Sequence, residues 1–391
     1  MLTGMDWIDT AQAELKRRNL AAWLICDFRG NNPAAKRFLD FGDVILSRRV
    51  FLLVPSEGTP QLLVHEIERG SLLDLPFDIH SYSDRQSLVE ELGRLLPPAE
   101  VALEYSPMND NPYVSHVDAG TVELLRSLGV TPVSSADLLQ VFSTWSDEQV
   151  TMHLAAAKHV LTAKDRAFAF IAEQVRAGRV LSETAVQKVI TDYFGEHDLI
   201  YHHLPTVAFG PHAGNPHYAP QAGADSTLQT GDVILIDLWA KLPPARAPYA
   251  DITWMGSHGA PSAEFEALFQ LVVSARDLAV EAIQTAYREG RHPEGREIDR
   301  ITRDFIAAEG YAEAFKHRTG HSLGTRFVHG DAVHLDDFET CDTRRLVPGI
   351  GITIEPGVYF DTFGVRSEIN LLLEEAGPRV TTDRQRELVI I

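Results

Sequence analysis

Four β-forming segments after residue 230 each carry an acid inside an apolar run: Asp237 in DVILIDLWA (232–240), Asp251 in YADITWMG (249–256), Glu355 in GITIEPGVYF (351–360) and Glu368 in GVRSEINLLLEE (364–375). A buried strand carboxylate without a partner costs several kcal/mol, so a fold built from these strands must supply each with a cation or a donor. Taken singly, Asp237 or Asp251 could be a strand-end residue bonded to a backbone N–H. Two on successive strands of one hairpin, joined through LPPARAP (242–248), can converge. RTGHSLG (318–324) adds His321 between glycines, which let backbone approach closely. Glu355 closes its strand just before Pro-Gly, a turn signal.

Four carboxylates and one imidazole make a ligand list for two divalent metal ions. Two such ions nearly balance four negative charges, whereas clustered carboxylates alone would raise one another's pKa. The oxygen-rich set favours Mn or Co over a Cys-type zinc site, with Zn also acceptable. Such a pair of ions points to hydrolytic chemistry.

The rest of the chain sets the frame. Segments 21–27, 49–55, 60–67, 100–105 and 130–135 read as strands, with helices around Asp9–Arg18, Ser87–Leu95 and Ala119–Leu128, so residues 1–143 form an α/β domain. Ser146 with Asp147, Glu148 and Gln149 is a capping box that opens a second domain, 144–391. Val150, Leu154, Ala157, Leu161, Phe168, Ile171 and Val175 recur at helical spacing after it. Further helices start near Ser182 and cover about 263–289 and 297–309. Helix, helix and strands thus occur twice, an α+β pattern with helices on one side of a mostly antiparallel sheet.

The net charge of −20, from 55 acidic and 35 basic residues, makes nucleic acid and anionic membrane poor partners. Two cysteines, Cys26 and Cys341, give no disulfide framework and fit a reducing compartment. The opening stretch lacks a basic-then-apolar leader pattern, and no apolar run is long enough for a membrane span, so cytoplasmic residence is expected.

The segments LIDLWA, YADITW, TGHSLG, TIEPGVY and VRSEIN resemble the metallopeptidase family of methionine aminopeptidase, Xaa-Pro aminopeptidase and prolidase, which has the pita-bread fold. PHAGNPHY (211–218) is similar to its upstream segment bearing a substrate-site histidine, here His217. The N-terminal half resembles, more weakly, the extra domain of the creatinase, prolidase and Xaa-Pro aminopeptidase branch. That domain speaks against a methionine aminopeptidase role. The resemblance implies that Asp237 binds one metal and His321 and Glu355 the other, with Asp251 and Glu368 bridging. A water or hydroxide between the ions would attack, Glu355 would also shuttle a proton, and His217 and His329 would bond the scissile peptide. Arg366 would orient a ligand or a substrate group, and Tyr218 would reach the substrate.

The implied activity is exopeptidase cleavage before proline in short peptides, by an Xaa-Pro aminopeptidase or dipeptidase acting as a homodimer. The alternatives are a metal-free creatinase-like amidinohydrolase and a non-catalytic peptide-binding member of the fold. Three features depart from the pattern. Asp-Leu-Trp stands where many relatives have Asp-x-Gly; the Asp237–Asp251 interval is long; and His329 lies eight rather than seven residues beyond His321, which leaves His334 as its rival. Trp239 and Tyr359 read as core, His202 and His203 as surface or structural residues, and HLDDFETCD (334–342) as a solvated loop.

Overall fold

The computed structural model describes residues 6–39, 46–72 and 75–391. Residues 1–5 of the opening stretch lie outside it. Contacts divide the chain into two compact units, one ending at Phe142 and one spanning Ser143–Ile391.

The first unit holds strands β1 (Ala22–Phe28), β2 (Arg49–Pro55), β3 (Gln61–His65), β4 (Asp78–Tyr82), β5 (Glu100–Leu103) and β6 (Thr131–Ser134) in one sheet, ordered β4-β3-β2-β1-β5-β6. The pairs β1/β2 and β2/β3 are antiparallel, the other three parallel. Helices α1 (Asp6–Arg17), α2 (Pro33–Phe38), α3 (Glu66–Arg69), α4 (Arg85–Leu95), α5 (Ala119–Ser127) and α6 (Ala136–Gln140) accompany it. Alternating side chains feed two cores: Trp23, Ile25, Leu52 and Val64 into one, Leu24, Phe51, Leu53 and Leu63 into the other. β4 escapes a sequence reading because Asp78, His80 and Ser81 make it polar, as an edge strand tolerates.

In the second unit, Ser146 and Gln149 form the capping box that starts α7 (Asp147–Arg176), and Ser182 caps α8 (Glu183–Glu196). The buried stripe of α7 differs from the expected Leu-rich face. Ala156, Val160, Ala163, Ala167 and Ile171 point inward, with His153 among them, while Leu154 and Leu161 are half-buried. Small side chains let the helix lie close on the sheet.

That sheet comprises β7 (Thr206–Phe209), β8 (Val233–Ala240), β9 (Ala250–Ser257) and, much later in the chain, β15 (Val389–Ile390), ordered β15-β9-β8-β7. Ile234, Ile236, Leu238 and Ile252 face α7 and α8. The alternate residues of β8 and β9 face the other way: Leu235 and Met255 enter a second core, and Asp237, Trp239, Asp251 and Thr253 follow along the same side.

Helices α9 (Ala263–Arg288) and α10 (Gly295–Ala308) precede a second strand set: β10 (Gly351–Ile354), β13 (Ile369–Glu374) and β14 (Gly377–Val380), with a short hairpin of β11 (Gly357–Tyr359) and β12 (Gly364–Arg366). Ile283 and Ile298 pack on Ile352, Ile354, Ile369 and Leu371. Residues 320–323 lie along β10; a Cβ on Gly320 would overlap the Thr353 carbonyl oxygen, so only glycine fits there. The loop 334–342 is not simply solvated. Asp336 and Asp342 are fully buried, the first bonding Phe338 N, Glu339 N and Thr340 Oγ1, the second paired with the equally buried Arg344 at 2.6 Å. A run of acids reads as exposed until the donors that satisfy each carboxylate are placed.

Candidate metal centre

The side of β8 and β9 that carries Asp237 and Asp251 meets the ends of β10 and β13. Asp251, His321 and Glu368 are all buried, and one ligand atom from each lies within 4.8 Å of the others. Glu355 joins them, its Oε1 3.4 Å from His321 Nε2; Asp251 Oδ2 is 3.6 Å from the same nitrogen. His321 Nδ1 lies 2.9 Å from the Ser322 carbonyl and must donate to it, which leaves the Nε2 lone pair facing the carboxylates.

The supporting bonds are local in space and distant in sequence. Asn370 accepts from Asp251 N at 2.9 Å and donates back to Asp251 O. Thr353 Oγ1 accepts from His321 N and donates to Glu355 Oε1 at 3.1 Å. Thr253 Oγ1 donates to Glu368 Oε2 at 2.9 Å. Arg366, buried, donates to Thr253 Oγ1 at 3.0 Å, to Tyr359 Oη at 3.0 Å and to Asp237 Oδ2 at 2.6 Å. Tyr359 in turn meets His317 Nε2 at 2.8 Å, whose Nδ1 donates to Arg318 O. Sequence reading missed Thr253, Thr353, Asn370 and His317. Thr253 and Asn370 stand two residues from a ligand, and on a strand that spacing means the same side.

Electrostatics match a site that expects cations. Burial, then the neighbouring Asp237 and Glu355 charges, push Asp251 well above the usual carboxylate range; burial, then Asp251, does the same to Glu368. Burial lifts Glu355 to about 7. Burial also raises Asp237, with Arg366 working against it. For Arg366 itself burial favours the neutral form, but Tyr359, Asp237 and Glu355 outweigh it and keep the guanidinium charged. Three carboxylate oxygens, Asp237 Oδ1, Asp251 Oδ1 and Glu368 Oε1, are buried with no hydrogen-bond partner. Oxygens in that state cost about 1–3 kcal/mol each or more when charged, and a divalent ion among them removes the cost. The donor set therefore fits divalent metal: five residues, four of them carboxylates.

The other candidates divide. His329 lies against His321, ring centroids 4.1 Å apart and planes tilted by 44°, with its Nδ1 3.1 Å from Arg318 Nη2. Arginine only donates, so His329 Nδ1 accepts and the proton sits on Nε2. Although the ring has an exposed edge, dense surroundings, then Arg318 and His217, lower its pKa to about 4 and keep it neutral. His217 is exposed and close enough for its charge to act on His329. His334 is spent elsewhere: buried, with Nδ1 accepting from Ser322 N at 3.2 Å.

Two readings need correction. Tyr218 does not offer its hydroxyl to a substrate; it donates to Glu183 at 2.5 Å, and its ring stacks on His212 at 4.2 Å. Glu183 is fully buried at the start of α8 and also accepts from Phe209 N, Ser226 N and His212 Nδ1, an attraction no local pattern reveals. Arg366 agrees with the first of the two roles expected of it: it orients Asp237, and three of its five N–H groups are held by protein partners. Trp239 is not core: strand alternation puts it on the side of Asp237, half-buried, opposite Asp251. Tyr359 is core, and His202 is exposed with Nε2 on the Arg326 carbonyl at 2.8 Å.

A doubled helix–helix–strand unit that converges acids and one imidazole defines a class of protein with a carboxylate-rich cluster suited to divalent cations. The sequence matches the profile of metallopeptidase family M24 over residues 155–375, and the chain belongs to that family, whose enzymes use divalent metals. It is 26% identical over 354 residues to "Probable dipeptidase PepE" of Mycobacterium tuberculosis, covering 88% of this chain and 86% of the relative. Crystallised dipeptidase PepE from Mycobacterium ulcerans superposes with a TM-score of 0.68 at 25% identity, over 98% of this chain and 97% of that one. The Xaa-Pro dipeptidase from Bacillus anthracis shares the fold, with a TM-score of 0.59 at 21% identity and 99% of each chain covered. The architecture is the pita-bread fold with an α/β domain before it. Among the described residues no helix is long and apolar enough to cross a membrane.

Proposed function

We propose that this metallopeptidase is an exopeptidase with a two-metal centre that hydrolyses the bond before proline in short peptides, dipeptides first. The observation that carries the reading is the set of unpartnered buried oxygens on Asp237, Asp251 and Glu368, the last two clustered with His321. Asp237, Asp251, His321, Glu355 and Glu368 would hold the ions, and an intact set speaks against a creatinase-like or purely binding role. Bound there, two divalent ions, Mn first and Co or Zn next, supply Lewis acidity and lower the pKa of an attacking water.

The chain's own residues do the rest. Arg366 fixes Asp237 Oδ2 and leaves Oδ1 for coordination. Glu355 would also take a proton from the attacking water and return it. His329, held neutral with its proton on Nε2, donates a hydrogen bond to a substrate carbonyl without carrying a charge, and His217 stands on the same side. An amide before proline has no N–H, so a site that demands no donor there accepts it. The dipeptidase names of the relatives support short substrates. We further propose a cytoplasmic homodimer, which sedimentation of the purified protein would test.

The decisive experiment compares Xaa-Pro dipeptides with Xaa-Pro-Yaa tripeptides in the presence of Mn²⁺ and of a chelator. Metal-dependent release of the first residue, faster from dipeptides, is expected. No metal-dependent cleavage of either overturns the reading.

A further inference from the structure

Trp239 is the one large aromatic among the β8 and β9 residues that face the carboxylates. Asp251 lies directly opposite it in the register. The backbone N–H and C=O of Asp251 both bond the Asn370 side chain, not β8. Trp239 and Asp251 are therefore a non-hydrogen-bonded pair, the kind that brings facing side chains closest, with Cβ atoms about 5 Å apart. Two residues along, Asp237 points the same way, so the indole base stands between two of the metal-binding acids.

The indole is not used by the fold. It belongs to none of the hydrophobic cores, remains half-buried, and among the described residues neither a ring, a cation nor a hydrogen-bond acceptor engages it. Its N–H is not sealed away unpaired either, since it is absent from the buried unpartnered atoms. Buried indoles ordinarily find a partner, and a large flat apolar face left open beside a polar recess is one that a ligand can cover. The position reads glycine in the Asp-x-Gly pattern that the chain otherwise resembles, so here an indole occupies space that a hydrogen atom would leave empty.

We propose that Trp239 is a specificity-determining residue: its indole walls the recess beside Asp251 and selects short peptides whose residue next to the scissile bond has an apolar side chain large enough to pack on it. Desolvating such a side chain against the indole stabilises the complex in proportion to the area covered. A small side chain covers little of it, and a charged one loses hydration against the apolar ring without a partner there. The inference rests on the peptidase reading for its substrate class.

Two measurements test it on the Mn²⁺-loaded full chain. First, kcat/KM is compared for Ala-Pro, Leu-Pro and Phe-Pro with wild type, Trp239→Phe and Trp239→Gly. The wild type is expected to favour Leu-Pro and Phe-Pro over Ala-Pro; the preference falls about tenfold in Trp239→Gly, through KM, and is largely kept in Trp239→Phe. An unchanged ratio in Trp239→Gly overturns the proposal while leaving the peptidase reading intact. Second, tryptophan emission is followed as Leu-Pro is added at low temperature. The emission is expected to change in wild type and not in Trp239→Phe, which also covers the case of a Trp239→Gly chain that does not fold. A change that persists in Trp239→Phe, or none in wild type, overturns the proposal. If the wild type cleaves none of the dipeptides, the peptidase reading falls, and the emission arm alone decides whether the indole is a ligand contact.

Discussion

Arg366 does more for the centre than any residue that would touch a metal. It spans β12 to β8 and β9, neutralises Asp237 and, through Thr253, steadies Glu368. Removing one partner of a buried ion pair leaves the other uncompensated, at a cost of about 3–5 kcal/mol. Arg366→Met, which keeps bulk and deletes charge, is expected to destabilise the chelated protein by that order, as read by thermal melts. With Mn²⁺ present the loss should shrink, because a bound ion replaces the missing positive charge. Equal losses with and without metal would show that Arg366 and the ions do not share Asp237. The pairing itself was invisible in sequence: Arg366 stands two residues from Glu368, yet its partner lies 129 residues upstream.

Elements hold the centre through buried polar groups on helices that look merely amphipathic. His153 on α7 is fully buried; Nδ1 donates to Tyr249 O at 2.8 Å, beside the start of β9, and Nε2 meets Thr381 Oγ1 at 2.7 Å. Burial lowers its pKa to about 4 from an ordinary 6.5. The folded state therefore binds this proton less readily than the unfolded one. The contribution is fully present above about pH 6.5 and is lost as the pH falls towards 4, about 3 kcal/mol in all. His153→Gln should lower stability at pH 7 but flatten its decline between about pH 6.5 and 4, measurable by denaturant titration at several pH values.

Glu183 plays the matching part on α8, where one carboxylate anchors the segment that carries His212, His217 and Tyr218. Glu183→Ala strands two backbone N–H groups and a tyrosine hydroxyl, and about 3 kcal/mol or more should be lost. Substrate KM should rise more than kcat falls, since the anchored segment bears His217 and not a metal ligand. A variant with wild-type stability would place the anchor elsewhere.

For the molecule as a whole, a metal held by the carboxylate cluster would be a folding partner. An ion that binds only the folded state stabilises it by about 2.7 kcal/mol at a hundredfold excess over Kd. Chelation should lower the melting temperature by several degrees, and Mn²⁺ should restore it. Asp251→Ala should abolish most of that response, with metal content measured on the same samples. A melting temperature indifferent to chelator would mean that the acids are held in some other way.

The amino-acid order alone indicated the two-part organisation, the starts of α7 and α8, and the five candidate metal ligands. Those are local signals: a capping box is four residues long, and each acid inside an apolar run calls for a cation or a donor, with the recurrence of such runs favouring the cation. Only the tertiary structure set His329 against His321 and His334 against Ser322 N, turned Tyr218 towards Glu183, gave Arg366 to Asp237 and put Trp239 on the side of the carboxylates. Each of those outcomes depends on which distant group fills a bond or covers a face, and chain folding brings such partners together from separations that no local pattern encodes.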